Sequence, residues 1–174
     1  MDDLDLLKAV DGLPKTTWSG RLFRHTALER EPLSGAGSFV MGGRWNPPEL
    51  VPTIYLADSE EVCRAEFRRM ADRQARGVQS FLSRRLHEIY VIDLELVDLT
   101  SEASLQAAGL SLRDIADPDW EPCQAVGAAA HFLGLQALMA PSATGSGAVV
   151  AVFEPRIRRG QFVVVSSREL TIQA

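Results

Sequence analysis

The most regular pattern of hydrophobic and polar positions runs from about residue 60 to residue 76. Apolar residues recur there at intervals of three and four, which predicts a helix with one buried face. The residues of that face are Val62, Cys63, Phe67 and Met70. Asp58 or Ser59 suits the N-cap, and two glutamates fall in the first turn, where the helix dipole favours carboxylates.

One carboxylate interrupts this apolar stripe. Glu66 lies four residues after Val62 and four before Met70, so helical spacing places it among buried side chains. A buried carboxylate either forms an ion pair, for which Arg24 or Arg44 would serve, or belongs to a catalytic site. The periodicity supports the two interpretations equally.

The remaining pattern predicts short strands grouped around a few helices. The strands are predicted at 22–25, 53–57, 89–99, 148–153 and 161–165. Further helices are predicted at 4–10, 104–115 and 122–139. Residues 31–52 form a loop rich in Gly and Pro, and a loop of that length in a compact domain is usually functional or disordered. Because no regular βαβ alternation is present, we predict an α+β fold.

Length and composition are those of one folded domain. The chain has 174 residues, of which 46% are hydrophobic and 24% charged. We predict an acidic N-terminal lead-in over 1–19 and a single domain over 20–174. The net charge of −5 opposes direct binding to nucleic acid or to an anionic membrane surface, so a phosphate-bearing ligand would need a local cluster of arginines.

Neither export, a membrane span nor a metal site is expected. The start, MDDLDLL, lacks the basic and apolar regions of a secretory signal, so a cytoplasmic location is the default. The stretch 122–153 has no Asp, Glu, Lys or Arg, yet its glycines, glutamines and Pro141 favour a buried helix and strand. Cys63 and Cys123 fit buried thiols better than a disulfide or metal ligands.

Several common catalytic motifs are absent from the sequence. It has no GxxxxGK[ST] phosphate loop, no GxGxxG, no HExxH, no paired CxxC and no GxSxG. These absences argue against a kinase, a Rossmann dehydrogenase, a zinc hydrolase and a serine esterase.

Two short segments carry polar residues suited to a ligand. In GGRWNPP (42–48) the glycines permit a tight backbone, and Arg44 offers a planar set of donors for a diphosphate. In RLFRH (21–25) Arg24 could meet the same phosphate, although an arginine near a strand end is usually solvated. His25 alone is more often a surface or capped imidazole, and Tyr55 more often a core residue with its hydroxyl bonded than a ring that stacks on a ligand.

In order and spacing, the segments RLFRHT, PLSGAG, GGRWNPPELVPTIYLADS, VCRAEF, DWEPCQAVG and APSATGSGAVVAVF resemble the RES-domain toxins over roughly residues 18–165. The resemblance implies an ADP-ribosyltransferase-like mixed β core with flanking helices. It also implies a type II toxin–antitoxin system in which an Xre-type antitoxin covers the active site. NAD would be the substrate rather than a cofactor, degraded to nicotinamide by phosphorolysis, with inorganic phosphate as co-substrate, or by hydrolysis. Transfer of ADP-ribose to a cellular protein is the alternative.

The family's functional residues carry over one by one. Arginines correspond to Arg24 and Arg44, an aromatic residue to Tyr55 and an acidic residue to Glu66. Cleavage of the nicotinamide–ribose bond develops positive charge on the ribose, which a carboxylate at Glu66 would stabilise in the transition state. Arg44 is the second expected catalytic residue beside Glu66. With Arg24 it would clamp the diphosphate, and the two arginines could also hold an attacking phosphate, while Tyr55 or His25 would contact the nicotinamide or its ribose.

The chain departs from the family pattern at two positions. His25 follows the first arginine where tyrosine is common, and a histidine there could titrate near neutral pH. Glu121 stands where some relatives have an active-site serine, which leaves Ser142 as the expected source of the hydroxyl. A binding module without catalytic activity is the least favoured interpretation.

Overall fold

A computed structural model of the chain describes residues 2–73 and 84–170. Its helices are α1 (Asp3–Asp11), α2 (Ala36–Met41), α3 (Glu60–Arg73), α4 (Glu102–Ala107), α5 (Leu112–Ala116) and α6 (Glu121–Phe132). Its strands are β1 (Lys15–Ala27), β2 (Thr53–Ala57), β3 (Arg84–Asp98), β4 (Ala137–Pro141), β5 (Ala148–Phe153) and β6 (Phe162–Glu169). A short 3₁₀ turn, Glu154–Arg156, follows β5.

The strands form one mixed sheet in the order β1-β2-β5-β4-β3-β6. β1 also pairs with β3, so the sheet closes on itself. β1 and β3 pair antiparallel along nearly their whole length, whereas β3 and β4 run parallel at Leu96–Asp98. This single domain of helices and a mixed sheet confirms the predicted α+β class.

The central strands are buried on both faces, which explains the long uncharged stretch of sequence. Along β5, Val150 and Val152 belong to one hydrophobic cluster, and Ala151 and Phe153 belong to another on the opposite face. The second cluster also holds buried residues of α1, α4, α5 and α6. No helix within the described ranges combines the length and apolar character needed to cross a membrane.

Helix α3 has the buried stripe that the sequence predicts. Val62, Cys63 and Phe67 are buried against Leu86 of β3, and Met70 is half-buried. Residues 74–76 of the predicted helix lie outside the described residues. The stripe fixes the orientation of α3 and therefore the side to which Glu66 faces.

The predicted helix over 122–139 is wrong in its second half. α6 ends at Phe132, Gly134 follows with φ of 78°, and the chain enters strand β4 at Ala137. A left-handed glycine just after a helix terminates it. The short apolar run that follows does not differ by composition from a continuing buried helix.

Other predicted element boundaries also differ from the observed ones. β1 begins at Lys15, so the predicted division at residue 20 falls within a strand, and Val10 of the lead-in helix is buried in the core. The helix predicted over 104–115 is divided into α4 and α5 at Gly109, whose φ is 77°. The predicted loop over 31–52 contains α2. β3 and β6 are longer than predicted, while β2 and β5 have the predicted bounds.

Candidate active site

A cavity of about 800 Å³ opens between β1, β2, α3 and the loop before β2. Five residues singled out in the sequence line it, and they are Arg24, His25, Arg44, Tyr55 and Glu66. The sixth, Ser142, lies between two further lining residues, Pro141 and Ala143. The fold therefore brings together the residues that the sequence scatters over more than 100 positions. Their roles in binding or catalysis stay predictions.

Glu66 is held by a serine rather than by an arginine. The Ser142 hydroxyl donates a 2.6 Å hydrogen bond to Glu66 Oε1, and it accepts a 3.1 Å hydrogen bond from the backbone N–H of Thr144. Ser142 is only 4% exposed. Over residues 2–73 and 84–170, no cationic side chain pairs with Glu66 within 4.0 Å. The ion-pair interpretation of Glu66 is therefore wrong within this part of the chain.

Arg44 lines the cavity from the glycine loop. Its Nη1 donates to the carbonyl oxygens of Asp114 and Asp117, each at 3.1 Å, and its guanidinium lies 5.6 Å from the ring centre of Trp120. Gly43 lies so close to the Tyr55 hydroxyl that a Cβ atom would collide with it. The glycine before Arg44 is therefore required by a close approach, as the sequence suggested.

The Tyr55 hydroxyl holds this loop in place. The hydroxyl accepts a 2.9 Å hydrogen bond from the Trp45 backbone N–H and donates a 2.7 Å hydrogen bond to Asn46 Oδ1. Burial raises the pKa of Tyr55 far above its usual value, so the phenol stays neutral. Both of these hydrogen bonds go to the loop, and the side chain also lines the cavity. Positioning the loop and contacting a ligand are thus compatible.

Arg24 of β1 is anchored to the long loop that precedes β2. Its guanidinium donates to the carbonyl oxygens of Pro32 at 2.6 Å and Ser34 at 2.8 Å. Burial lowers the pKa of Arg24 to about 10, partly opposed by the negative charge of Glu154, so Arg24 remains a cation at neutral pH.

His25 is a neutral imidazole. Its Nδ1 accepts a 3.0 Å hydrogen bond from Arg84 Nε, and its ring meets the Phe67 ring edge-on at 4.8 Å. Burial, and then the positive charge of Arg84, lower the pKa of His25 to about 3. The expectation that His25 titrates near neutral pH is therefore wrong, because the histidine is buried beside cations.

The sequence analysis missed several cavity residues. Arg69 and Arg73 extend from α3 on the same side as Glu66, at spacings of three and seven residues. Arg73 stacks 3.9 Å above the ring centre of Trp120, and Arg69 donates a 2.8 Å hydrogen bond to the Ala116 carbonyl. Their helical spacing from Glu66 could have predicted that these two arginines line the same cavity. The sequence around Trp120 does not predict its position at the cavity, which depends on the tertiary fold.

The cavity is positively charged although the chain is acidic. Six arginines and two glutamates line it, the arginines being 24, 30, 44, 69, 73 and 84 and the glutamates 31 and 66. This is the local arginine cluster that an anionic ligand requires. Glu121 is exposed and absent from the lining, whereas Ser142 bonds to Glu66. Among the described residues, no group of three or more His, Cys, Asp or Glu is placed to hold a metal ion.

Comparisons with known proteins identify relatives of the whole chain. The chain is 43% identical over 171 residues to the NAD(+) phosphorylase MbcT of Mycobacterium tuberculosis, covering 97% of this chain and 92% of that protein. It is 29% identical over 153 residues to a probable NAD(+) phosphorylase of the same organism, covering 86% of this chain and 72% of that protein. The crystal structure of the M. tuberculosis MbcT-MbcA toxin-antitoxin complex matches with a TM-score of 0.89 at 43% identity, covering 96% of this chain and 92% of that chain.

The family model described as the RES domain matches residues 21–173. The resemblance inferred from the motifs is thereby confirmed by sequence over most of the chain and by the arrangement of its elements. The chain belongs to the RES domain family.

Proposed function

We propose that this chain is a toxin that degrades NAD by phosphorolysis of the bond between nicotinamide and ribose. The observation that carries the proposal is a carboxylate, Glu66, held by the Ser142 hydroxyl at the wall of a cavity lined by arginines. A relative with 43% identity over nearly the whole chain bears the name NAD(+) phosphorylase.

The geometry suits the charge changes of this reaction. As the glycosidic bond breaks, the positive charge of the nicotinamide ring moves to the ribose, and the nicotinamide leaves as a neutral molecule. A fixed carboxylate stabilises that ribose cation more than it stabilises bound NAD, because the charge at C1″ develops only in the transition state. The hydrogen bond from Ser142 holds Glu66 Oε1 in one position and so reduces the reorganisation that the step requires.

The other predicted site residues divide into anion binding and positioning. Arg24 keeps its charge and lines the cavity, so we assign it to the diphosphate of NAD. Tyr55 fixes the loop that carries Arg44. His25, neutral and held by Arg84, offers an uncharged wall where the nicotinamide ring would otherwise meet another cation. The proposal uses NAD and inorganic phosphate as substrates and no resident cofactor.

We further propose that a protein antitoxin covers the mouth of this cavity. The relative's crystal structure is of a toxin-antitoxin complex. In this chain Phe39, Val40 and Met41 of α2 are exposed apolar residues, and Met41 lines the cavity. Exposed apolar side chains beside a site indicate a contact surface. The Xre-type identity of the antitoxin and a cytoplasmic site of action remain parts of this proposal.

The purified protein incubated with NAD, with and without inorganic phosphate, tests the proposed function. We expect free nicotinamide together with ADP-ribose-1″-phosphate when phosphate is present, both resolved by NMR. Glu66→Gln is the matched control, since it keeps the size of the side chain and removes its charge. Absence of nicotinamide under both conditions would refute NAD degradation. Label from NAD appearing on a protein would instead support transfer of ADP-ribose.

A further inference from the structure

We infer that Arg44, Arg69 and Arg73, which together form the Trp120-side cluster, bind the inorganic phosphate that attacks the ribose. This inference rests on the proposed function and names the place of its second substrate. It separates the site of the free phosphate from the site of the dinucleotide diphosphate at Arg24.

The first support is that these three cations lie near one another and have no carboxylate partner among the described residues. Arg73 has its pKa lowered by burial and by the positive charges of Arg44 and Arg69. In the described ranges no carboxylate pairs with any of the three within 4.0 Å. Residues 74–83 contain no Asp or Glu. Repulsion among three guanidiniums is best relieved by an anion.

Asp72 lies next to Arg73 on α3, but among the described residues it forms no ion pair with the three arginines within 4.0 Å. The two acidic residues that hydrogen-bond Arg44 have their carboxylates bonded elsewhere. Asp114 and Asp117 offer Arg44 only their backbone carbonyl oxygens. The Asp114 carboxylate accepts hydrogen bonds from the Ser111 backbone N–H and hydroxyl, and the Asp117 carboxylate accepts one from the Asp119 backbone N–H. The C-terminal end of α5 therefore holds Arg44 through backbone carbonyl oxygens, and no carboxylate of the described residues pairs with its positive charge.

The second support is a smaller depression of about 540 Å³ beside the main cavity. Arg69, Arg73 and Ala143 line both spaces, so the depression shares a wall with the cavity. Thr144 also lines it, and its hydroxyl lies 2.7 Å from the Ser142 hydroxyl that bonds to Glu66. A small anion held there is adjacent to the carboxylate at which the ribose cation forms.

The third support is the separation of the two groups of arginines. Arg24 donates to the carbonyl oxygens of Pro32 and Ser34 in the long loop. Arg44 and Arg73 instead lie against the Trp120 ring, and Arg69 donates to the Ala116 carbonyl oxygen. The cavity thus contains two distinct cationic regions. A reaction between a dinucleotide and free phosphate needs two anion-binding sites.

The reaction is balanced with NAD and phosphate as its only reactants. The C1″–N bond of NAD breaks and its electron pair stays on nicotinamide, which leaves neutral. An unprotonated oxygen of HPO₄²⁻ uses a lone pair to form the new C1″–O bond. The proton stays on another oxygen of the phosphate. The products are nicotinamide and ADP-ribose-1″-phosphate.

Steady-state kinetics with Arg73→Gln and Arg69→Gln test the inference, with inorganic phosphate and NAD each varied in turn. Loss of one charge-assisted contact is expected to raise the KM for phosphate by roughly tenfold or more and to change the KM for NAD by less than about twofold. The ratio of ADP-ribose to ADP-ribose-1″-phosphate is expected to rise, because water competes when phosphate is held less well.

Two variants serve as controls. Arg159→Gln removes an exposed arginine that lines neither space and is expected to leave both KM values unchanged. Asp72→Asn removes a negative charge from the lining of the depression and is expected to lower the KM for phosphate. If wild type consumes NAD with phosphate but Arg73→Gln and Arg69→Gln raise only the KM for NAD, the cluster binds the dinucleotide and the inference is wrong. If wild type releases no nicotinamide, the proposed function itself fails.

Discussion

The cavity has two cationic regions, and their arginines differ in the groups that hold them in place. On the β1 side, Arg24 is tied to the carbonyl oxygens of Pro32 and Ser34 and feels the negative charge of Glu154. In the Trp120-side cluster, no carboxylate among the described residues pairs with the arginines. The comparison indicates that Arg24 supports the long loop, whereas the arginines of the Trp120-side cluster are held by backbone carbonyl oxygens and by Trp120 without a carboxylate. Under our proposal, a bound anion relieves the repulsion within that cluster.

The largest expected effect concerns Glu66, which belongs to neither region. Glu66→Gln should lower kcat by about 10²- to 10³-fold, as the loss of a preorganised electrostatic partner of the transition state does. The KM values for NAD and phosphate should change little, because both cationic regions remain. Nicotinamide release at saturating substrates measures this effect. A variant that raises either KM and keeps kcat would place Glu66 in substrate binding instead.

Substitutions in the two regions should differ in stability as well as in activity. Arg24→Gln should lower the free energy of unfolding by about 1–3 kcal/mol, because it leaves the half-buried carbonyl oxygens of Pro32 and Ser34 without their donors. Arg73→Gln should be close to neutral, because it also relieves repulsion. Urea unfolding of the two variants measures the contrast. Equal losses from both would remove the distinction between the regions.

The Tyr55 hydroxyl should contribute less. Tyr55→Phe removes one acceptor and one donor from the loop that carries Arg44, at a cost of about 1 kcal/mol. Since the loop positions a member of the Trp120-side cluster, the KM for phosphate should rise more than the KM for NAD. Kinetics and unfolding of this one variant test both statements. Unchanged stability would show that the loop does not depend on the hydroxyl.

The smallest effect is the pH dependence contributed by His25. Its pKa in the folded state is about 3, below the ordinary 6.5, so the unfolded chain binds the proton more readily. Stability from this group is complete above pH 6.5 and falls as the pH is lowered, by about 0.7 kcal/mol between pH 7 and pH 6. His25→Asn should reduce this slope, while His87 and His131 contribute equally to both proteins. An identical slope in the variant would contradict a buried neutral His25.

The elements that could be predicted are those with a local signal. The apolar stripe of α3 and the β-branched runs of β2 and β5 determine their own structure, and Glu66 is conspicuous because it interrupts that stripe. β4 was missed because a short apolar run after Gly134 does not differ by composition from a helix. Arg44 was found through its glycine loop, but its relation to Arg73 and Trp120 depends on tertiary contacts between distant segments.

The most direct test of the account follows the fate of phosphate oxygen. The protein is incubated with NAD and phosphate carrying ¹⁸O at all four oxygens, and the product is analysed by mass spectrometry. The account predicts ADP-ribose-1″-phosphate that retains all four labelled oxygens, because a phosphate oxygen replaces nicotinamide at C1″. Product retaining three labelled oxygens, or unlabelled ADP-ribose alone, would contradict attack by a bound phosphate on the ribose.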